Sequence, residues 1–140
     1  MADHSVTTRF ISGMTFHSQL DNHTIIIDTP ENDGGNDLGP RPKKLMLSSL
    51  AGCTGIDVVS MLNKMRVVFS DFSMDVEANL TKETPKTYDW VKITYRIKVK
   101  KEDQDKVYRG ASSLLMDNDT KVSNLLGRLG AVVSHFFIYK

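Results

Sequence analysis

The chain has 140 residues, of which 40% are hydrophobic and 25% are charged, and its formal net charge is +1. These values are typical of one folded domain with its own core, so we expect a single domain over residues 1–140. A net charge so close to zero gives no electrostatic footprint for nucleic acid or for a membrane surface, and neither partner is expected.

The N-terminal part of the chain predicts short strands. A β-favouring stretch over residues 6–16 is broken near Gly13, and a second such stretch, 24–27, follows a turn-like Asp-Asn pair. We interpret them as strands of a meander. Residues 30–42 are rich in Gly, Pro, Asn and Asp, which predicts a loop, and Pro42 occupies a favoured first position of a helix.

A helix is predicted over residues 42–65, with apolar side chains on nearly every face. A helix of this kind must be enclosed, either centrally in its own fold or at a subunit interface. The small residues of this helix permit close approach of another backbone. Gly52 and Gly55 together cost about 2 kcal/mol relative to alanine, which indicates a packing or a functional reason for them. The run 45–62 is long enough to raise the question of a membrane span. Its hydroxyl residues and Asp57 are costly in lipid, so we expect a buried helix of a soluble protein.

Strict alternation of apolar and polar residues follows the helix. It covers residues 71–80 and, after a turn at 83–86, residues 91–100, which predicts a long hairpin with one buried face. Two helices are then expected, the second of them opening near Thr120, and a last strand over 132–139 closes the chain. The predicted class is α+β, with antiparallel sheet packed on a long buried central helix.

Cys53 is the sole cysteine, and it lies in the middle of the apolar helix. One cysteine forms no internal disulfide, which suits a reducing cytoplasm, and residues 1–5 lack the features of a secretory signal. A free cysteine in such a place is most often a small, inert, buried hydrophobe. The alternative is a nucleophile, which requires an accessible thiolate. Asp57, one helical turn further on, would oppose that thiolate if it is ionised.

The helix resembles the central helix of the OsmC/Ohr family, the osmotically inducible and organic-hydroperoxide-resistance proteins. The resemblance rests on Pro-x-x-Leu-x-Leu from Pro42 and on Ala-Gly-Cys-Thr-Gly-Ile-Asp-Val-Val-Ser-Met-Leu over 51–62. The Gly-Met-Thr-Phe stretch from Gly13, the Gly-Pro-Arg-Pro entry, the charged hairpin and the closing helix follow in the family's order. The resemblance covers essentially the whole chain and is closest to the OsmC-like branch.

The resemblance implies an intertwined homodimer with the central helices at the subunit interface, and a thiol peroxidase site in which Cys53 attacks the peroxide. Family members then condense the resulting sulfenic acid with a second cysteine. At the position of that cysteine this chain has Thr120, and at the position of a family glutamate it has Lys44. Arg9 is the candidate for the active-site arginine of the hydroperoxidase branch.

Two hypotheses follow. In the first, Cys53 reduces small or organic hydroperoxides in a one-cysteine enzyme, an external thiol resolves the sulfenate, and Lys44, Thr120, Arg9 and Asp57 are possible supporting groups. In the second, the chain is a catalytically degenerate dimer of the same fold that binds an apolar ligand or a partner in the interfacial pocket. No cofactor is expected, and the spacing of the four histidines predicts no metal site.

Overall fold

The structure, a computed structural model, describes residues 2–116 and 132–140. The chain divides into two compact units, Met1–Leu47 and Ser48–Lys140. The expectation of a single domain stays a prediction, and the second of the two helices expected after the hairpin lies outside the described residues.

The N-terminal unit contains a three-stranded antiparallel sheet, which confirms the predicted meander. Its strands, in spatial order, are β1 (Thr7–Ser12), β2 (Thr15–Leu20) and β3 (His23–Ile27). Gly13 takes a positive φ of 52° in the tight turn between β1 and β2, a conformation that glycine adopts without steric cost. The predicted loop follows and carries one short 3-10 turn, Glu31–Asp33.

Asp28 is fully buried at the end of β3 and holds that loop against the sheet. Its carboxylate accepts hydrogen bonds from the Thr15 hydroxyl at 3.0 Å and from the backbone N–H groups of Thr29, Asn36 and Leu38 at 2.8, 3.3 and 3.2 Å. Burial raises the pKa of Asp28, but these four hydrogen bonds together bring it below its ordinary value. The ionised carboxylate is therefore the favoured form in the folded unit.

The predicted central helix, α1 (Pro42–Lys64), leads from the first unit into the second. In the second unit the hairpin strands are β4 (Phe69–Leu80) and β5 (Tyr88–Val99), and they pair antiparallel as predicted. They are followed by α2 (Gln104–Met116) and by β6 (Val132–Tyr139).

The expectation of purely antiparallel sheets is wrong for the last strand. The spatial order is β4-β5-β6, and β6 runs parallel to β5, with Phe137 opposite Tyr95. Parallel neighbours need a long crossover connection, and the segment between β5 and β6, which includes α2, supplies it.

The core of this unit lies between the sheet and its helices. The alternate residues of β5 are buried, as the alternation predicted, and they pack with buried apolar side chains of both helices. The fully buried members are Leu50, Val58, Leu62, Val91, Ile93, Tyr95, Ile97 and Val107. Burying one such aliphatic side chain stabilises a fold by about 1.5–3 kcal/mol.

Two locations were predicted for α1, the centre of its own fold or a subunit interface, and in the part of the chain that the structure describes one face of the helix is buried. Leu50, Thr54, Val58 and Leu62, spaced one turn apart, form that face. On the opposite side Ile56 is 72% exposed. The sheet therefore covers one side of a helix that is apolar on nearly every face. Burial of the other side at a subunit interface, the second predicted location, stays a prediction.

Helix α1 is also long and apolar enough to cross a membrane by length and composition alone, with a mean hydropathy of 1.6 and 28% of that stretch buried inside the chain. Core helices of soluble proteins reach the same values. The expectation of no membrane partner therefore stays a prediction.

Candidate functional site

Cys53 lies half-buried on α1, at the edge between its buried and its exposed face. Gly52 before it is exposed, and Thr54 after it is fully buried. The Thr54 hydroxyl donates to the backbone carbonyl of Leu50 at 3.0 Å, which satisfies this polar group inside the helix. The sulfur atom is therefore carried by a regular, packed helix.

Asp57 lies one turn after Cys53 and is also half-buried, so the two residues share one side of α1 as predicted. Asp57 also acts on the fully buried Tyr95 of β5. Burial raises the pKa of Tyr95 to about 12; contact with Thr54 lowers it, and the Asp57 charge raises it further. Tyr95 therefore stays protonated at neutral pH beneath the Cys53 turn.

A hydrogen-bonded pair that the sequence did not predict, Tyr95 and His135, links the region next to Thr54 and Asp57 of α1 to the last strand, β6. The Tyr95 Oη and the Nδ1 of His135 are 2.9 Å apart. Tyr95 is stacked on Phe137 with ring centroids 4.7 Å apart, and burial lowers the pKa of His135. No sequence signal pointed to this pair, because its members come from strands whose pairing was not known.

A groove of about 680 Å³ runs along the exposed side of α1 next to β4. Gly52 and Ile56 of the helix and Phe72 and Met74 of β4 line it, and Lys64 lies among its lining residues. The side chain of Met74 lies so close to Gly55 that a methyl group there would displace it. Gly55 therefore gives the Met74 side chain of β4 room to pack on α1. The close approach of another backbone, which the small residues of α1 predicted, stays a prediction.

Two of the predicted supporting residues belong to the N-terminal unit. Lys44 is exposed in the first turns of α1, and its side chain makes no hydrogen bond or ion pair with a described residue. Arg9 is exposed on β1, opposite His17 of β2. With Gln19 and Thr24 these two residues line a polar hollow of about 360 Å³.

Thr120, which the sequence resemblance places at the position of a second cysteine, lies outside the described residues. Cys53 has no disulfide partner within its own chain, since the chain has one cysteine. Among the described residues, no group of three or more His, Cys, Asp or Glu side chains is arranged to hold a metal ion.

The sequence profile of the family described as OsmC-like protein matches residues 34–130, more than half of the chain and the part that holds Cys53. The chain belongs to the OsmC-like family. It is 28% identical over 88 residues to protein YhfA of Escherichia coli K12, a match that spans 62% of this chain. The match covers 63% of the length of YhfA.

Solved structures of OsmC-like proteins share the fold. The OsmC-like protein of Mycoplasma pneumoniae superimposes with a TM-score of 0.78 at 14% identity, with 99% of this chain and 97% of that one covered. The organic hydroperoxide resistance protein OhrB of Bacillus subtilis gives a TM-score of 0.60 at 17% identity, with 96% of each chain covered. The mixed α+β class is therefore the OsmC-like one.

Proposed function

We propose that this OsmC-like chain is a thiol peroxidase that reduces small or organic hydroperoxides through Cys53, as a cytoplasmic homodimer in defence against oxidative stress. The observation that carries the proposal is Cys53 itself, the chain's one thiol, half-buried on α1 inside the part that matches the family. The structural similarity to a protein named for organic hydroperoxide resistance supports the choice of substrate.

The reaction needs one thiolate and one external thiol. The Cys53 thiolate attacks the terminal peroxide oxygen, the O–O bond breaks, and the alcohol leaves after taking up a proton. Cys53 is thereby oxidised to a sulfenic acid. An external thiol then forms a mixed disulfide with release of water, and a second thiol molecule restores Cys53 and leaves as the oxidised disulfide. Lys44 and Arg9 are the cations proposed to favour the thiolate, and Thr120 is proposed to help hold the peroxide.

The exposed side of α1 supports the homodimer. Ile56 is 72% exposed there, and a methyl group added to Gly52 would meet no atom within 4 Å. A glycine inside a helix costs about 1 kcal/mol relative to alanine, and no neighbouring atom in the described part of the chain requires a glycine at Gly52. A second copy packed on this side would require it and would cover Ile56.

The test is to incubate the protein with cumene hydroperoxide and dithiothreitol, and to measure intact mass and peroxide consumption against the variant Cys53→Ser. We expect one added oxygen on the wild type before thiol is supplied, and thiol-dependent consumption that the variant lacks. Equal consumption by both proteins, with no oxygen on Cys53, would refute the peroxidase.

The groove along α1 favours a second candidate function, the binding of an apolar ligand by a protein without catalysis. Its volume of about 680 Å³ suits a small molecule, and Ile56, Val59, Phe72 and Met74 give it apolar walls. Cys53 is not among the residues that line it. Tight binding of an apolar fluorescent probe by a protein whose Cys53 stays unoxidised would favour this function over the first.

A further inference from the structure

A smaller cavity, of about 260 Å³, lies between α2 and β6, and it shares no described lining residue with the groove along α1. Its walls are largely apolar and include Ala111 and Leu115 of α2 and Phe137 of β6. Ser112 and His135 supply polar side chains to the same lining. Small-molecule sites commonly have this composition, an apolar pocket with few and well-placed polar groups.

One ring nitrogen of His135, Nδ1, is fixed by a hydrogen bond to a buried side chain. This nitrogen is hydrogen-bonded to the Tyr95 hydroxyl at 2.9 Å, and Tyr95 is fully buried and stacked on Phe137. Burial lowers the pKa of His135, so the ring is neutral at pH 7. In the part of the chain that the structure describes, no protein group is hydrogen-bonded to the other ring nitrogen, Nε2.

The chemistry of this pair sets what Nε2 can bind. Burial raises the pKa of Tyr95 to about 12, so its hydroxyl keeps a proton to donate. Either atom of the Tyr95–His135 pair can be the donor, depending on the tautomer of the imidazole. In the tautomer whose Nδ1 accepts the Tyr95 proton, the neutral imidazole carries its own proton on Nε2. Nε2 is then a hydrogen-bond donor that no described protein group uses, and a half-buried donor of this kind gains from a ligand oxygen.

We propose that the cavity between α2 and β6 binds a small, neutral, mostly apolar carbonyl compound, whose oxygen accepts a hydrogen bond from Nε2 of His135. Ala111, Leu115 and Phe137 contact the apolar part of this ligand. The volume of the cavity is below the usual range of about 300–1,000 Å³ for drug-sized ligands, so the ligand is no larger than a single substituted ring. The described lining includes no residue of α1, so this inference does not rest on the peroxidase proposed for Cys53.

The test uses acetophenone and isopropylbenzene, which share size and shape but differ in the carbonyl oxygen. Each is titrated into nitrogen-15-labelled protein while the backbone amide signals of Ser112 and His135 are followed by NMR. We expect acetophenone to bind with a dissociation constant of about 1 mM or tighter, and at least about fivefold more tightly than isopropylbenzene. His135→Leu removes the preference for acetophenone, whereas the control His17→Gln, on the other sheet, keeps it.

The ring nitrogen signals of the wild type give a second measurement, which needs no variant and holds even if His135→Leu fails to fold. We expect the proton on Nε2, and a shift of that signal when acetophenone is added. The inference is overturned if the proton resides on Nδ1, if both compounds bind equally, or if neither shifts the signals of the cavity.

Discussion

The Tyr95 hydroxyl on β5 and Nδ1 of His135 on β6 lie 2.9 Å apart, although the two residues are 40 positions apart in the chain. Tyr95 also lies close enough to Asp57 of α1 to be affected by its charge. One buried hydroxyl thus connects the helix that carries Cys53 with the last strand of the sheet.

Replacing Tyr95 by phenylalanine removes this hydrogen bond while keeping the ring. We expect Tyr95→Phe to lower the free energy of unfolding by about 1 kcal/mol at pH 7, because Nδ1 of His135 loses its partner. Urea denaturation followed by fluorescence measures the change. The control is Tyr108→Phe, at a tyrosine that is 55% exposed, and a loss of the same size there would contradict the assignment.

The raised pKa of Tyr95 predicts a loss of stability in alkali. The folded value is about 12 and the unfolded value about 10, so the contribution is fully present below pH 10 and is lost as the pH rises through 12. Tyr95→Phe should therefore lose less stability than the wild type between pH 10 and 12. Thermal midpoints across this range measure it, and parallel curves for the two proteins would count against a buried, neutral Tyr95.

The lowered pKa of His135 predicts a loss of stability in acid instead of in alkali. Burial lowers its folded pKa below the unfolded value of about 6.5, so its contribution is present above pH 6.5 and is lost as the pH falls through the folded value. We expect the wild type to lose stability as the pH falls below about 6.5, and His135→Gln to lose less of it. His17→Gln, which leaves this pair intact, should follow the wild type.

Asp28 gives a prediction for the N-terminal unit. Its folded pKa is below the unfolded value of about 3.9, so the ionised carboxylate stabilises the fold above pH 4 and this contribution is lost as the pH falls through the folded value. Asp28→Asn should lower the thermal midpoint at pH 7, and the gap to the wild type should narrow towards pH 3. A gap that stays constant with pH would show that the charge is not what stabilises the loop.

The substitution Gly52→Ala tests whether a second copy packs on the exposed side of α1, because its expected effect differs between a monomer and the proposed dimer. In one chain the added methyl group meets nothing, so the helix should gain up to about 1 kcal/mol. If a second copy packs there, the same methyl group should weaken the dimer, which sedimentation at a series of concentrations measures. A more stable protein with unchanged association would place the interface elsewhere.

Much of this fold could be predicted from patterns that one segment carries by itself. The alternation along β4 and β5 identified the hairpin and its buried face, and Pro42 marked the start of α1. The hairpin and the start of α1 both depend on interactions between residues that are close in the sequence. Cys53 and the turn it shares with Asp57 were predictable for the same reason.

The rest depends on pairings between distant segments. An apolar helix face looks the same in sequence whether its own sheet or a second chain covers it, so the exposure of Ile56 was not predictable. The direction of β6 is set by the path of its crossover and not by its own residues. The contact between Tyr95 and His135 depends on β6 running parallel to β5. Because the direction of β6 was not predicted, this contact was not predicted either.

The parallel pairing of β5 with β6 has a consequence for how the chain reaches this structure. The hairpin of β4 and β5 closes over a short turn, whereas β6 must find β5 across more than 30 intervening residues. Contacts between such distant positions slow folding, so β6 should dock after the hairpin has formed. Until it docks, one side of β5 is an open edge able to pair with another molecule, and high concentration during refolding should favour aggregation over recovery.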